Sequence, residues 1–439
     1  MPHHHHENTC TQKDITLDTP DTLYSNSYAI VVSSTTLNDA EWNDVVSHLF
    51  ELHPNAQKFV YSDNDILSIR SDLQTLMPRY VAFVCQPTEC GRIFVAKCHC
   101  LMRTLDDDPY IDAMWSIITD DGSGEERNQG EEYPRAPALI FTEKLNEIEP
   151  DLLITSGHGT EQSIEMPWSL GKLEVQETYL APLDNNSEPV APIIEISSNP
   201  KIFLPIANCL VGHCNGSQCM ATTFLGRMGV RQMCGYTVRT WFDRAEWGTL
   251  DLWKSIPGRL TLVDAYFLHQ ACMTYNLKSI DSRYLEFKFD VSDDDPCYET
   301  IVEQLEKQYH LENETIDDKV LEQIHGLCDD HDTFVFYGDP AFIAKLDENK
   351  NKELLTTKFI RTSETTHQFI IEYKDIDTAQ SFSLPIGNLF TNRIEDYKIL
   401  NGFEYEPILT DNFIIILKPK PLDKQSTIIK IDFYGVLLN

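Results

Sequence analysis

Short, uninterrupted apolar runs separated by helix-length segments limit the folds open to this chain more than any other feature. Tyr28-Ala29-Ile30-Val31-Val32, Lys58-Phe59-Val60-Tyr61 and Tyr80-Val81-Ala82-Phe83-Val84-Cys85 are rich in β-branched and aromatic residues. A strand with one wet face alternates polar and apolar residues. A strand covered on both faces does not, so the first of these runs predicts a buried parallel strand and the other two predict further strands. Between the first two, Asn38 or Asp39 caps a helix whose apolar residues Trp42, Val45, Val46, Leu49 and Phe50 share one face. Ile66 to Leu76 predicts a second helix. Alternation at this spacing predicts an α/β class with a mainly parallel sheet.

The pattern continues downstream. An acidic turn, Leu105 to Pro109, feeds an apolar strand through Tyr110 to Thr119. Asp120 to Glu132 reads as an exposed loop and Ala138 to Leu145 as the start of a helix. Met220 to Met228, Thr249 to Ile256 and Thr261 to Leu277 read as helices, and Gly229 to Tyr236 and Thr333 to Tyr337 as strands. Residues 291 to 332 are acidic and partly helical. Past residue 348 the runs Gln368–Tyr373, Ser381–Leu384, Asn412–Leu417 and Ile428–Phe433 lack helical spacing, which suggests a β-sandwich. The expected layout is a disordered polar tail at 1–26, an α/β unit at 27–135, a second at 136–347 and a β-sandwich at 348–439. A length of 439 residues leaves room for two or three such units.

Charge excludes one class of partner. Thirty-five Lys+Arg against sixty-nine Asp+Glu give a net charge of −34, a field that repels phosphate backbones and anionic membranes, so no nucleic acid and no membrane is expected. No apolar run is long enough to span a bilayer and no leader is visible, which reads as a cytoplasmic chain. Oligomeric state is open. The twelve cysteines then lie in a reducing compartment, most as buried small hydrophobes. Cys85, Cys90, Cys98 and Cys100 crowd into sixteen residues but lack paired knuckles, and Cys209, His213, Cys214 and Cys219 come from one turn, so both are weak zinc sites. His3 to His6 form a polar tail with no companion ligands. The aspartates from Asp106 to Asp112 suit calcium, an acidic pocket wall or a plain polar turn.

The segment Asp151 to Asn215 carries the chemistry. Leu152-Leu153-Ile154-Thr155 leads to Ser156-Gly157-His158-Gly159, and Ile202-Phe203-Leu204-Pro205-Ile206 leads to Ala207-Asn208-Cys209-Leu210-Val211-Gly212. Two buried strands thus end on an imidazole and a thiol. A thiolate is the competent nucleophile, and a His with a pKa near ~6.5 takes its proton and returns it to a leaving amine. The backbone N–H groups of Gly159 and Cys209 are the expected oxyanion donors. Residues 160–200, between the two, read as a long binding insertion at a strand end. No Gly-x-Gly-x-x-Gly, Walker lysine, Gly-x-Ser-x-Gly or His-Glu-x-x-His is present.

At these residues the chain resembles the clan CD cysteine peptidases, and within them the gingipain type. The resemblance rests on Ser156–Gly159, Ala207–Gly212, the strand and loop Gly235–Trp241, and Phe336-Tyr337-Gly338-Asp339-Pro340. It implies a caspase-like αβα sandwich followed by an immunoglobulin-like β-sandwich. It also implies a cysteine endopeptidase acting on polypeptide through His158 as base and Cys209 as nucleophile. Trp241 would wall the S1 pocket, and Asp107, or else Asp112, would sit at its base and select a basic P1 residue. The chemistry requires no cofactor; family members often carry calcium as a structural ion. The competing reading is a silent or latent caspase-like module that binds partners through its sandwich and acidic surface.

Overall fold

The computed structural model describes residues 15–18, 27–62, 65–120, 137–166, 170–177, 179–191, 201–240, 244–255, 258–292, 296–311, 316–346, 354–390 and 392–438. Eight strands form its central sheet: β1 (Tyr28–Ser33), β2 (Gln57–Tyr61), β3 (Tyr80–Val84), β4 (Met114–Ile118), β5 (Leu152–Ser156), β6 (Ile202–Ile206), β7 (Gln232–Tyr236) and β8 (Phe334–Gly338). Their spatial order is β2-β1-β3-β4-β8-β7-β6-β5. Strands β1 to β4 are parallel to one another, as are β5, β6 and β7. Strand β8 runs antiparallel to β7 and meets β4 through one parallel bridge, Tyr337 to Ile117. The α/β class with a mainly parallel sheet is therefore present. Every residue of β1, β3 and β6 is buried, which is why these runs carry no polar alternation.

Helices α1 (Ala40–Leu52), α2 (Arg92–Met102), α3 (Met220–Gly226), α4 (Arg244–Ser255), α5 (Leu262–Ile280) and α6 (Asp318–Thr333) supply most of the remaining core. Asp39 caps α1 through its carboxylate, as its position before the apolar stripe predicts. Helix α2 was not legible: its cysteines and short apolar stretch read as a thiol cluster, yet Val95, Cys98, Leu101 and Met102 form a buried helical face. Among the described residues no cysteine joins a group within metal-ligand distance.

Residues 354–438 form two antiparallel sheets around a second apolar core. One contains Leu355–Arg361, Thr366–Tyr373, Ile428–Leu437 and Ile394–Asn401; the other contains Ile386–Leu389, Phe413–Ile416 and Ile408–Leu409. Strand Phe413–Ile416 is buried on both faces. Ile414 and Ile416 point into the second core while Phe413 and Ile415 enter the first, so this strand ties the two cores together.

Three expectations are corrected. Ile15–Asp18, placed in the disordered tail, pair antiparallel with Ile343–Leu346. The insertion after Gly159 is not simply a loop: Ser163–Glu165, Lys172–Gln176 and Tyr179–Leu183 form a three-stranded antiparallel sheet. Ser381–Leu384 is not a strand, because the helix Ile376–Ser381 ends there, capped at its start by Asp375. The expected loop at 121–132 lies outside the described residues.

Candidate active site

Strands β5 and β6 run side by side in register, Ile202 opposite Leu152 and Ile206 opposite Ser156. His158 therefore follows the end of one strand by two residues and Cys209 the end of its neighbour by three. On the other side β6 pairs with β7 only through Ile202 and Phe203. Pro205, with no N–H to donate, lies just past that ladder, and the chain beyond it peels into the loop that carries Cys209.

This loop is held by several independent bonds. Ala207 and Leu210 have φ of +59° and +61°, a left-handed conformation that costs about 1 kcal/mol each for residues with a Cβ. The Ala207 N–H donates to the buried Glu246 carboxylate of α4 at 2.6 Å, and the Leu210 N–H donates to Val238 O at 3.1 Å. The Gly212 N–H donates to Tyr236 O at 3.0 Å. Such over-determination is what keeps a strained backbone in place beside a reactive group.

Asn208 joins the two halves of the site. Its side chain is fully buried. Its Oδ1 accepts from Thr155 Oγ1 at 2.8 Å, and its Nδ2 donates to Gly157 O at 2.9 Å and to His158 O at 3.4 Å. The His158 carbonyl also accepts from the Glu165 N–H at 3.0 Å, so the insertion sheet braces the His158 backbone from its far side. A Cβ on Gly159 would lie 3.0 Å from Val211 Cγ2, 3.1 Å from Cys209 O and 3.2 Å from Asn208 Cβ. The His loop and the Cys loop thus touch through a glycine at which a side chain would be tightly crowded. In the bridge between Gly159 and Ile164 the ladder bonds are made by Thr160 and Glu165, which leaves the Gly159 N–H outside the ladder. Cys209 is half-buried and its Sγ donates to Thr240 O at 3.4 Å, while His158 is exposed. Asn208 and Glu246 are positioning groups that the sequence did not reveal. Asn208 had adjacency to Cys209 as its signal. Glu246 had none, since a glutamate near a helix start is normally solvated.

The proposed S1 carboxylates lie elsewhere. Asp112 is buried in its own turn, where its carboxylate accepts from the Leu105 N–H at 2.9 Å and its carbonyl accepts from Arg393 and Asn412 of the C-terminal module. Asp107 is exposed on the same turn. The structure thus brings His158, Gly159 and Cys209 together and sends Asp107 and Asp112 to the junction with residues 354–438. Trp241 lies outside the described residues.

Within that turn the carboxylate oxygens of Asp106, Asp108 and Asp112 come within 4.8 Å of one another. This is an all-oxygen donor set of the kind a hard cation takes, though acidic surfaces often form such groups without one. Burial, reinforced by the Asp106 charge, pushes the Asp112 carboxyl up to about 9, and burial pushes Asp108 up to about 6. A carboxyl raised in the folded state binds a proton that the unfolded chain releases near ~4. The stability it contributes is complete below about pH 4 and is lost as pH rises towards 9. Asp112→Asn, whose amide oxygen can still accept from Leu105, is therefore expected to gain on the wild type across this window, on the order of 2 kcal/mol by pH 9. Thermal melts from pH 4 to 9 in chelator check it; a constant gap would contradict it.

Among the described residues no helix is long and apolar enough to cross a membrane. Searches against protein-family models, curated proteins and solved structures returned no match to this chain.

Proposed function

We propose that this chain is a cysteine peptidase of the caspase-like, gingipain type. The observation that carries the reading is the clamp at the ends of β5 and β6, in which Asn208 and Gly159 press the His158 loop against the Cys209 loop. In the proposed reaction Cys209 Sγ attacks the scissile carbonyl carbon and its proton passes to the His158 imidazole. The oxyanion takes hydrogen bonds from the Gly159 and Cys209 N–H groups. The tetrahedral intermediate collapses to a thioester as His158 protonates the leaving amine, and water, deprotonated by His158, then hydrolyses the thioester. With Asp107 and Asp112 seated at the far junction, a basic P1 preference loses the acidic groups that suggested it, so the substrate panel should span all P1 classes.

The test is hydrolysis of a peptide reporter panel by the wild type and by His158→Ala. Loss of about 10²–10⁴-fold in kcat/KM is the expected result; cleavage unaffected by His158→Ala would sink the reading. Asn208→Ala is expected to lower kcat about 10–100-fold with little change in KM, because it loosens the base relative to the nucleophile without touching substrate. Steady-state kinetics on the same reporter separate the two constants.

A second reading draws on the Cys209–Thr240 bond. A thiol that donates to a carbonyl is in its protonated form, as in a latent enzyme or a silent binding module. In the latent form the bond from Cys209 to Thr240 must open before the sulfur can attack.

A further inference from the structure

A cavity lies beyond the carboxyl ends of β1, β2 and β3, bordered by His213 of the segment that follows Cys209. It holds about 630 Å³ and is lined by Tyr61, Gly91, Arg92, Phe94, Lys97 and His213, with Glu89 at its rim. Strand β1 lies between β2 and β3, so the strand order reverses here, and open α/β sheets bind ligands in the crevice at such a reversal. The volume is that of a small-molecule pocket.

Among the described lining residues Arg92 and Lys97 outnumber the single carboxylate, in a chain whose net charge is −34. Helix α2 begins at the cavity with Gly91 as its N-cap, and no side chain caps it. The first-turn N–H groups and the positive end of the helix dipole therefore face a space that also holds Arg92 and Lys97. His213 is 5% exposed. Arg92 Nη2, which can only donate, lies 3.2 Å from His213 Nε2, so Nε2 accepts. Burial, with the Arg92 charge, pushes the His213 pKa down to about 4 and keeps the ring neutral. Its one proton is then on Nδ1, and that buried N–H has no hydrogen-bond partner. An unmet donor of this kind is destabilising unless a ligand or water completes it. Glu89, the one acidic group among the described lining residues, accepts from Ser33 Oγ at 2.7 Å, from Thr36 Oγ1 and from the Gln86 N–H at 3.3 Å. Tyr61 and Phe94, stacked with ring centroids 6.5 Å apart, supply an apolar wall.

We propose that this cavity binds a small phosphate monoester, its phosphate at the α2 N-terminus between Arg92 and Lys97 and its organic group against Tyr61 and Phe94. Convergent donors from a helix end, a guanidinium and an ammonium suit a tetrahedral dianion better than a planar carboxylate. The site is independent of the peptidase reading, since none of its groups belongs to the Cys209–His158 pair.

Titration calorimetry of the full chain with phenyl phosphate and with inorganic phosphate tests it. Saturable binding of both probes is expected, tighter for phenyl phosphate; equal affinities would make the ligand free phosphate and overturn the monoester assignment. Arg92→Gln should weaken binding at least about tenfold. Gly91→Asp keeps the proposal testable if Arg92→Gln fails to fold. Gly91 has φ −70° and ψ 175°, open to any residue, and a Cβ there meets only Cys214 O at 3.5 Å and His213 Cε1 at 3.9 Å. Its carboxylate should cap α2 and raise the melting temperature while abolishing phosphate binding. No saturable binding of either probe, or unchanged affinity in Gly91→Asp, would overturn the site.

Discussion

Cys209→Ala is expected to lower peptide hydrolysis by about 10⁴-fold or more, leaving the fold intact. Alanine is smaller than cysteine and Cys209 is only half-buried, so the loop keeps its bonds through Ala207, Leu210 and Gly212. What disappears is the sulfur. Among the described residues no buried neighbouring thiol is placed to replace it. Cys214 and Cys234 are buried and their thiols are pushed up, Cys214 chiefly by its hydrogen bonds to Cys219 and Cys90 and Cys234 by burial. Among the described residues Cys219 is the one thiol pulled down, to about 7, chiefly by its hydrogen bond with Cys214 at 3.6 Å, yet Cys219 is fully buried and no substrate reaches it. Reporter assays at matched protein concentration measure the loss. Hydrolysis that survives in Cys209→Ala would assign the activity to another group.

Gly212→Ala should be strongly damaging, costing about 3 kcal/mol. A Cβ at Gly212 would lie 2.5 Å from the backbone carbon and oxygen of Gly235, and one at Gly235 would lie 2.9 Å from the Gly212 nitrogen. Both obstacles are backbone, so no side chain can swing aside. The loop carrying Cys209 crosses β7 at this contact, and the Gly212 carbonyl accepts from Tyr337 Oη at 2.8 Å on the neighbouring strand. Lifting the loop by one methyl group breaks that bond and displaces the sulfur. Denaturant titration should show the lost stability, and kcat should fall with it. A Gly212→Ala protein with wild-type stability would mean that the loop does not lie against β7.

Much of this arrangement could be read from the chain because burial leaves a direct trace in composition. Strands β1, β3 and β6 are buried along their whole length and are written as unbroken apolar runs. Cys209 was visible because it follows such a run within three residues; the strand before His158, β5, is an edge strand in which only Leu153 is buried, so the buried strand expected there is not present. Other features depend on contacts between distant segments. Asp112 stands beside Tyr110 in a turn that resembles a pocket wall, but Arg393 and Asn412, nearly three hundred residues away, decide where it sits. Helix α2 hid because Cys98 and Cys100 suggested a ligand, while its buried face depends on packing against the sheet. The double burial of Phe413–Ile416 was equally hidden, since a short apolar run does not say that its two faces enter different cores.

Mass spectrometry after treatment with peptidyl acyloxymethyl ketones, varied at P1, tests the central claim most directly. The account predicts one adduct, on Cys209, formed quickly by the wild type, slowed strongly in His158→Ala and absent in Cys209→Ala. Failure of every probe to label Cys209, or equal labelling with and without the His158 imidazole, would contradict it.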